Sequence, residues 1–96
     1  MSTQLSSMLN LCKKARLVRT GAVASEKELQ SGGAKLVITC NTASDNTKKK
    51  FSQKAFHYNV PLKEIDLTEI LECSVAVITD QNLSARIIEL IGDDSG

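Results

Sequence analysis

The stretch over residues 34–56 constrains the fold more than any other. Ala34-Lys35-Leu36-Val37-Ile38-Thr39-Cys40 is a nearly continuous apolar run with β-branched residues. It is short and has breakers on both sides, which predicts a strand rather than a buried helix. A continuous run, unlike an alternating one, suits a sheet covered on both faces. Asn41-Thr42-Ala43-Ser44-Asp45-Asn46-Thr47 then collects side chains that bond their own backbone and so open turns and cap helices. Lys48-Lys49-Lys50-Phe51 follows, with Lys54, Ala55 and Phe56 behind it. A strand that ends in a polar loop and starts a helix is half of a βαβ unit. In open α/β sheets that strand end is where ligands usually bind. The same residues also fit a surface loop before a solvated helix.

The rest of the chain alternates in the same way. Ser2 or Thr3 is a cap for a first helix, whose inner stripe is Leu5, Met8, Leu9, Cys12 and Ala15. Lys13, Lys14 and Arg16 lie off that stripe, where they suit the negative end of the helix dipole. Leu17-Val18-Arg19-Thr20 predicts a small strand. Gly21 then opens a second helix, which stops at Ser31-Gly32-Gly33. Ser25-Glu26-Lys27-Glu28 matches a capping box that would start this helix late. A start at residues 21–23 is preferred, because the late start leaves only seven residues. Ser44 or Thr42 caps the third helix, with Phe51, the Lys54 stem, Ala55 and Tyr58 inward. That helix ends by Asn59, because Pro61 disfavours helix at Val60. Leu62-Lys63-Glu64-Ile65 alternates as a half-exposed strand does. Residues 66–71 predict a short helix, and Ser74-Val75-Ala76-Val77-Ile78-Thr79 a second buried strand. Asp80 caps the last helix, with Leu83, Ile87, Ile88, Leu90 and Ile91 as its stripe. Gly92 is expected to stop it. The pattern implies one domain over residues 1–92, a disordered tail over 93–96, and a three-layer α/β/α sandwich around a four-stranded mixed sheet.

Several functions are disfavoured. The three cysteines, Cys12, Cys40 and Cys73, are widely spaced, and His57 is the single histidine, so neither a zinc site nor a disulfide framework is expected. Each Cys has apolar neighbours and is expected to be a reduced, buried side chain, which points to the reducing cytoplasm. No apolar run is long enough to span a bilayer. No catalytic set is evident, and neither an enzyme nor a cofactor is expected. Only Tyr58, Phe51 and Phe56 are aromatic, so a platform of stacked bases is a poor fit. The net charge is only +1, but Lys13, Lys14, Arg16 and Arg19 form one basic group and Lys48, Lys49, Lys50 and Lys54 another.

The chain resembles the kink-turn RNA-binding ribosomal protein family, specifically its short Gram-positive, YlxQ-like branch. The resemblance covers nearly the whole chain. It rests on Met8-Leu9-Asn10-Leu11-Cys12-Lys13-Lys14-Ala15, Thr20-Gly21, Ala34-Lys35-Leu36-Val37-Ile38 and Ala43-Ser44-Asp45-Asn46-Thr47-Lys48-Lys49-Lys50. It continues through Tyr58-Asn59-Val60-Pro61 and Ala76-Val77-Ile78-Thr79-Asp80-Gln81. It implies an α/β/α sandwich that binds a sharply kinked RNA, ribosomal RNA included, with Gly21 and Ala22 at the start of the second helix against the kink. A monomer without a membrane partner is expected.

The chain departs from that family at the surface. The family pattern is Gly, any residue, Asn, Glu, two of any kind, then Lys. Gly21 and Lys27 match, but Val23 and Ala24 stand at the Asn and Glu positions. Ala22 and Val23 also replace the carboxylates of the short branch. Asn41-Thr42 stands where the family often has Glu-Asp, and Leu71-Glu72-Cys73-Ser74 leaves no room for the family's apolar loop. Polar contacts to base edges are worth about 1–3 kcal/mol each, so losing several removes most discrimination. Phosphate contacts remain available to Arg19, Lys27, Lys35, Lys48, Lys49 and Lys50. Weaker or altered RNA recognition is expected. The alternative is a protein-interaction module that kept the scaffold and lost the RNA, with Ala22, Val23 and Ala24 as its apolar patch.

Overall fold

A computed structural model describes residues 3–66 and 73–95. Its elements are α1 (Thr3–Lys14), β1 (Val18–Thr20), α2 (Ala22–Ser31), β2 (Leu36–Cys40), α3 (Asp45–His57), β3 (Leu62–Ile65), β4 (Val75–Ile78) and α4 (Gln81–Ser95). The expected short helix over 66–71 lies, beyond Asp66, outside the described residues. The strands form one sheet in the order β1-β4-β2-β3. β2 runs parallel to β3, whereas β4 is antiparallel to both β1 and β2, so the sheet is mixed.

The two inner strands, β2 and β4, are buried along their whole length, as their unbroken apolar runs require. Their side chains alternate between two cores. Leu36, Ile38, Cys40, Ala76 and Ile78 face α1 and α4, where they meet Leu5, Leu9, Cys12, Ile87, Leu90 and Ile91. Val37, Val75 and Val77 face α2 and α3, where they meet Leu29, Phe51 and Ala55. Helices therefore cover both sides of the sheet.

The helix ends follow local chemistry. Ser44 is extended and its Oγ accepts the Thr47 amide at 3.2 Å, so Ser44 rather than Thr42 caps α3. Asp80 Oδ2 accepts the Leu83 amide at 2.8 Å and caps α4. α2 closes through Gly32 at φ 82, with the Gly33 amide bonded to the Glu28 carbonyl at 2.9 Å. Asn59, at φ 57, closes α3 in the same way.

Four sequence expectations need correction. Tyr58 is exposed rather than inward, because α3 ends at His57 and its ring packs edge-on against His57 instead. Ala15 is exposed because it lies past the end of α1. Cys12 and Cys40 are fully buried and not in a disulfide, but Cys73 is only half-buried, being in the bend before β4. Gly92 does not stop α4, which continues to Ser95. A glycine costs a helix about 1 kcal/mol in propensity but is no steric barrier.

Candidate nucleic-acid interface

Strand pairing brings several loops to one edge of the sheet. The Gly21 amide donates to the Val75 carbonyl at 2.9 Å, the Cys40 amide to Ser74 at 2.8 Å, and the Asn41 amide to Ile65 at 2.9 Å. The ends of β1, β2 and β3 and the start of β4 thus share this edge, and α2 and α3 both begin from it. Two helix N-termini, each the positive end of a macrodipole, point the same way.

The two N-termini differ. That of α3 is occupied by Ser44 and carries Asp45 in its first turn. That of α2 has no side-chain cap and no acidic residue in its first turn. Helices leave their first amides without intrahelical partners, and the first such bond here is from Ser25 to Gly21 at 3.0 Å. Gly21 makes this entry possible. Its φ of 93 and ψ of 158 are barred to most L residues, although a Cβ there would touch nothing within 4 Å, so the requirement is torsional. The helix starts early, as expected, and the capping-box start at Ser25 is overruled: Ser25 is buried inside α2, its amide already bonded to the Gly21 carbonyl and its Oγ capping no amide. Ala22 and Val23 are exposed, Val23 by 68%. Half-buried Cys73 lies beside Gly21, and burial raises its thiol pKa while the Gly21 amide opposes that shift. Cys40 Sγ and Thr42 Oγ1, 3.0 Å apart, pin the loop after β2.

The basic residues singled out from sequence are only partly gathered. Lys27 lies one helical turn beyond Val23 on α2 and is exposed. Lys48, Lys49 and Lys50 lie near the start of α3. Lys48 reaches Glu64 on β3 at 3.0 Å, and Lys50 reaches Glu26 on α2 at 2.7 Å, leaving Lys49 exposed between them. Lys54 also reaches Glu26, at 3.5 Å. The hydrogen bond from Lys50 holds the Glu26 carboxyl below its ordinary pKa, helped by Lys54. Arg19 on β1 pairs with Glu28 at 3.4 Å. Exposed ion pairs of this sort are worth about 0–1 kcal/mol, so an incoming phosphate can exchange for the carboxylate. Lys35 is elsewhere. Its amide bonds to Ile78 at 2.7 Å, at the far end of β2, roughly 17 Å from Cys40 at the usual strand rise. The resemblance grouped the stretches around Gly21, Asn41 and Ser74 on one RNA surface, but no local pattern brings them together, because that proximity exists only through strand pairing.

Among the described residues no three His, Cys, Asp or Glu side chains are grouped to hold a metal ion. Among the described residues no helix is long and apolar enough to cross a membrane.

No family model matches the chain. The RNA-binding protein YlxQ of Bacillus subtilis (strain 168) is 34% identical over 91 residues, covering 88% of this chain and 91% of that protein. The RNA-binding protein YlxQ of Enterococcus faecium is 30% identical over 91 residues, covering 88% of each. A solved structure from Bacillus halodurans C, described as of unknown function, superimposes with a TM-score of 0.89 at 28% identity. It spans 95% of this chain and 99% of its own. The Giardia lamblia 15.5kD RNA binding protein matches with a TM-score of 0.70 over 97% of this chain and 92% of its own, at 22% identity. That last likeness concerns the fold.

Proposed function

The chain belongs to the YlxQ family, and from that premise we propose that it binds structured RNA of the kinked-helix type at the edge carrying Gly21 and Ala22. The observation that carries the reading is the open start of α2. Its first amides lack a side-chain cap, its first turn has no acid, and it shares its edge with the start of α3. Such an N-terminus suits a phosphate or an acceptor on a base edge. Lys27 and Lys49 stand ready for phosphates, and Lys48, Lys50 and Arg19 reach them by exchanging a carboxylate. Lys35 contributes only to an RNA long enough to reach the opposite edge. The reading is of a binding protein in the cytoplasm that needs no cofactor, with ribosomal RNA among its targets.

Selectivity is expected to be weak. Val23 and Ala24 present no hydrogen-bonding side chain to a tilted base pair, so phosphate contacts dominate. The exposure of Val23 by 68% also favours a second reading, in which the same patch docks a protein. One titration separates the two. Binding to a kinked RNA and to a straightened control is measured across a salt series. Salt-sensitive binding to both, with a small preference for the kink, supports the proposal. Tight kink-selective binding would overturn the weak-selectivity part. No binding even at low salt would leave the protein-docking reading.

A further inference from the structure

Phe56 is the most exposed large apolar side chain described, at 87%. It gives up burial worth about 1.5–3 kcal/mol for a ring of this size. Its surroundings are polar and basic. Lys49 is two turns before it and Gln53 one turn before it on the same side of α3, and both are exposed. Gln53 also borders a shallow cleft of about 520 Å³ lined by Lys50, Lys54, His57 and Tyr58. The His57 and Tyr58 rings stand edge to face there, 4.8 Å between centroids. Both lysines converge on a single Glu26 oxygen, Lys50 at 2.7 Å and Lys54 at 3.5 Å, so one carboxylate answers two cations.

We propose that the outer face of α3, from Lys49 to Phe56 with its adjoining cleft, is a second contact for one or two unpaired nucleotides of RNA. A base stacks on Phe56 and a flanking phosphate meets Lys49, two turns before it on the same side. The strand continues across Gln53 into the cleft, where its next phosphate takes over Lys50 and Lys54 from Glu26. An exposed ring set among lysines, a glutamine, a histidine and a tyrosine matches the alternation of base and phosphate along a strand. A protein-docking patch would group apolar side chains instead. Low aromatic content excludes a long stacking platform but not a one-base site. Phe56 is eleven residues along α3 from Asp45, roughly 17 Å from the helix start, so a strand leaving an RNA docked at the Gly21 edge has to run down the helix to reach it. The inference rests on the RNA-binding reading and shares Lys49 and Lys50 with it, but Phe56 and the unpaired-tail probe belong to this site alone.

The test compares a blunt kinked RNA with the same RNA carrying an unpaired oligoadenosine tail at either end. The tail should tighten binding about tenfold, within the range for one stacked base. Phe56→Ala should abolish that gain and leave blunt binding unchanged. Phe56→Trp should keep the gain, and its emission should be quenched by the tail, in a chain with no other tryptophan. Equal binding of blunt and tailed RNA by the native protein overturns the proposal, as does a gain that survives Phe56→Ala. If neither RNA binds, the kinked-helix reading fails by itself. Free oligoadenosine at low salt then decides this one, because an unquenched Phe56→Trp overturns it and quenching sustains it. A native dimer that Phe56→Ala dissociates, with no effect of the tail, would assign the ring to a second copy of the chain and also overturn it.

Discussion

On one side of the sheet α1 and α4 close over a continuous aliphatic core, from Leu5 and Leu9 through Ile38 and Ile78 to Ile87. On the other, α2 and α3 cover a smaller cluster centred on Phe51, and ion pairs complete the packing. Glu26 joins α2 to α3, Glu64 joins β3 to α3, and Glu28 joins α2 to β1. The first side uses burial, which does not depend on charge screening. The second adds exposed charges, which are individually weak and open to exchange. The candidate site lies on the second side. Its surface can therefore change without disturbing the larger core.

The most severe way to test this contrast is to hollow out each side in turn. Phe51→Ala should cost about 3–5 kcal/mol and Leu9→Ala about 2–5 kcal/mol in denaturant unfolding. Under conditions where both remain folded, Phe51→Ala should also weaken RNA binding, because α2 and α3 lose their shared anchor. Leu9→Ala should leave the affinity of the folded protein unchanged. Equal effects on binding would mean that the two sides are not separable.

Next in size is Gly21→Ala. With no atom in the way of the new Cβ, the cost is torsional, about 1–3 kcal/mol, and it falls at the start of α2. Calorimetry should show it, and RNA affinity should drop with it. The double change Val23→Asn and Ala24→Glu should raise the preference for kinked over straight RNA about tenfold, the worth of one good base-edge contact. Leu11→Asn, at a residue 50% exposed on α1, should leave that preference unchanged.

The smallest effects concern the lysines. Replacing Lys48, Lys49 and Lys50 with Ala should weaken binding about equally for every RNA. It should also flatten the salt dependence by about one log–log unit for each phosphate no longer neutralised. Glu26→Gln frees Lys50 and Lys54 and should act in the opposite sense. Because Glu26 has a lowered pKa in the folded protein, its pairing contributes stability above the ordinary glutamate pKa. That contribution is lost as pH falls through the folded value. Thermal midpoints of native and Glu26→Gln protein should therefore differ slightly at neutral pH and converge in acid.

Local sequence was sufficient to determine much of this molecule. The short unbroken apolar runs at 36–40 and 75–78 pointed to inner strands, Ser44 or Thr42 to a cap, and Gly21 to the entry to α2. These are local effects, set by backbone torsions and by how a side chain meets its own helix or strand. Tertiary structure decided what faces what. It exposed Tyr58, which periodicity places inward, by ending α3 at His57. It paired Lys48 and Lys50 with carboxylates from different elements and left Lys49 exposed between them. It also sent Lys35 to the far edge and gathered Gly21, Asn41 and Ser74 at the near one. Periodicity fixes the direction of a side chain around its own axis. The partner it meets depends on strand order and on helix placement across the sheet, which no short stretch of sequence encodes.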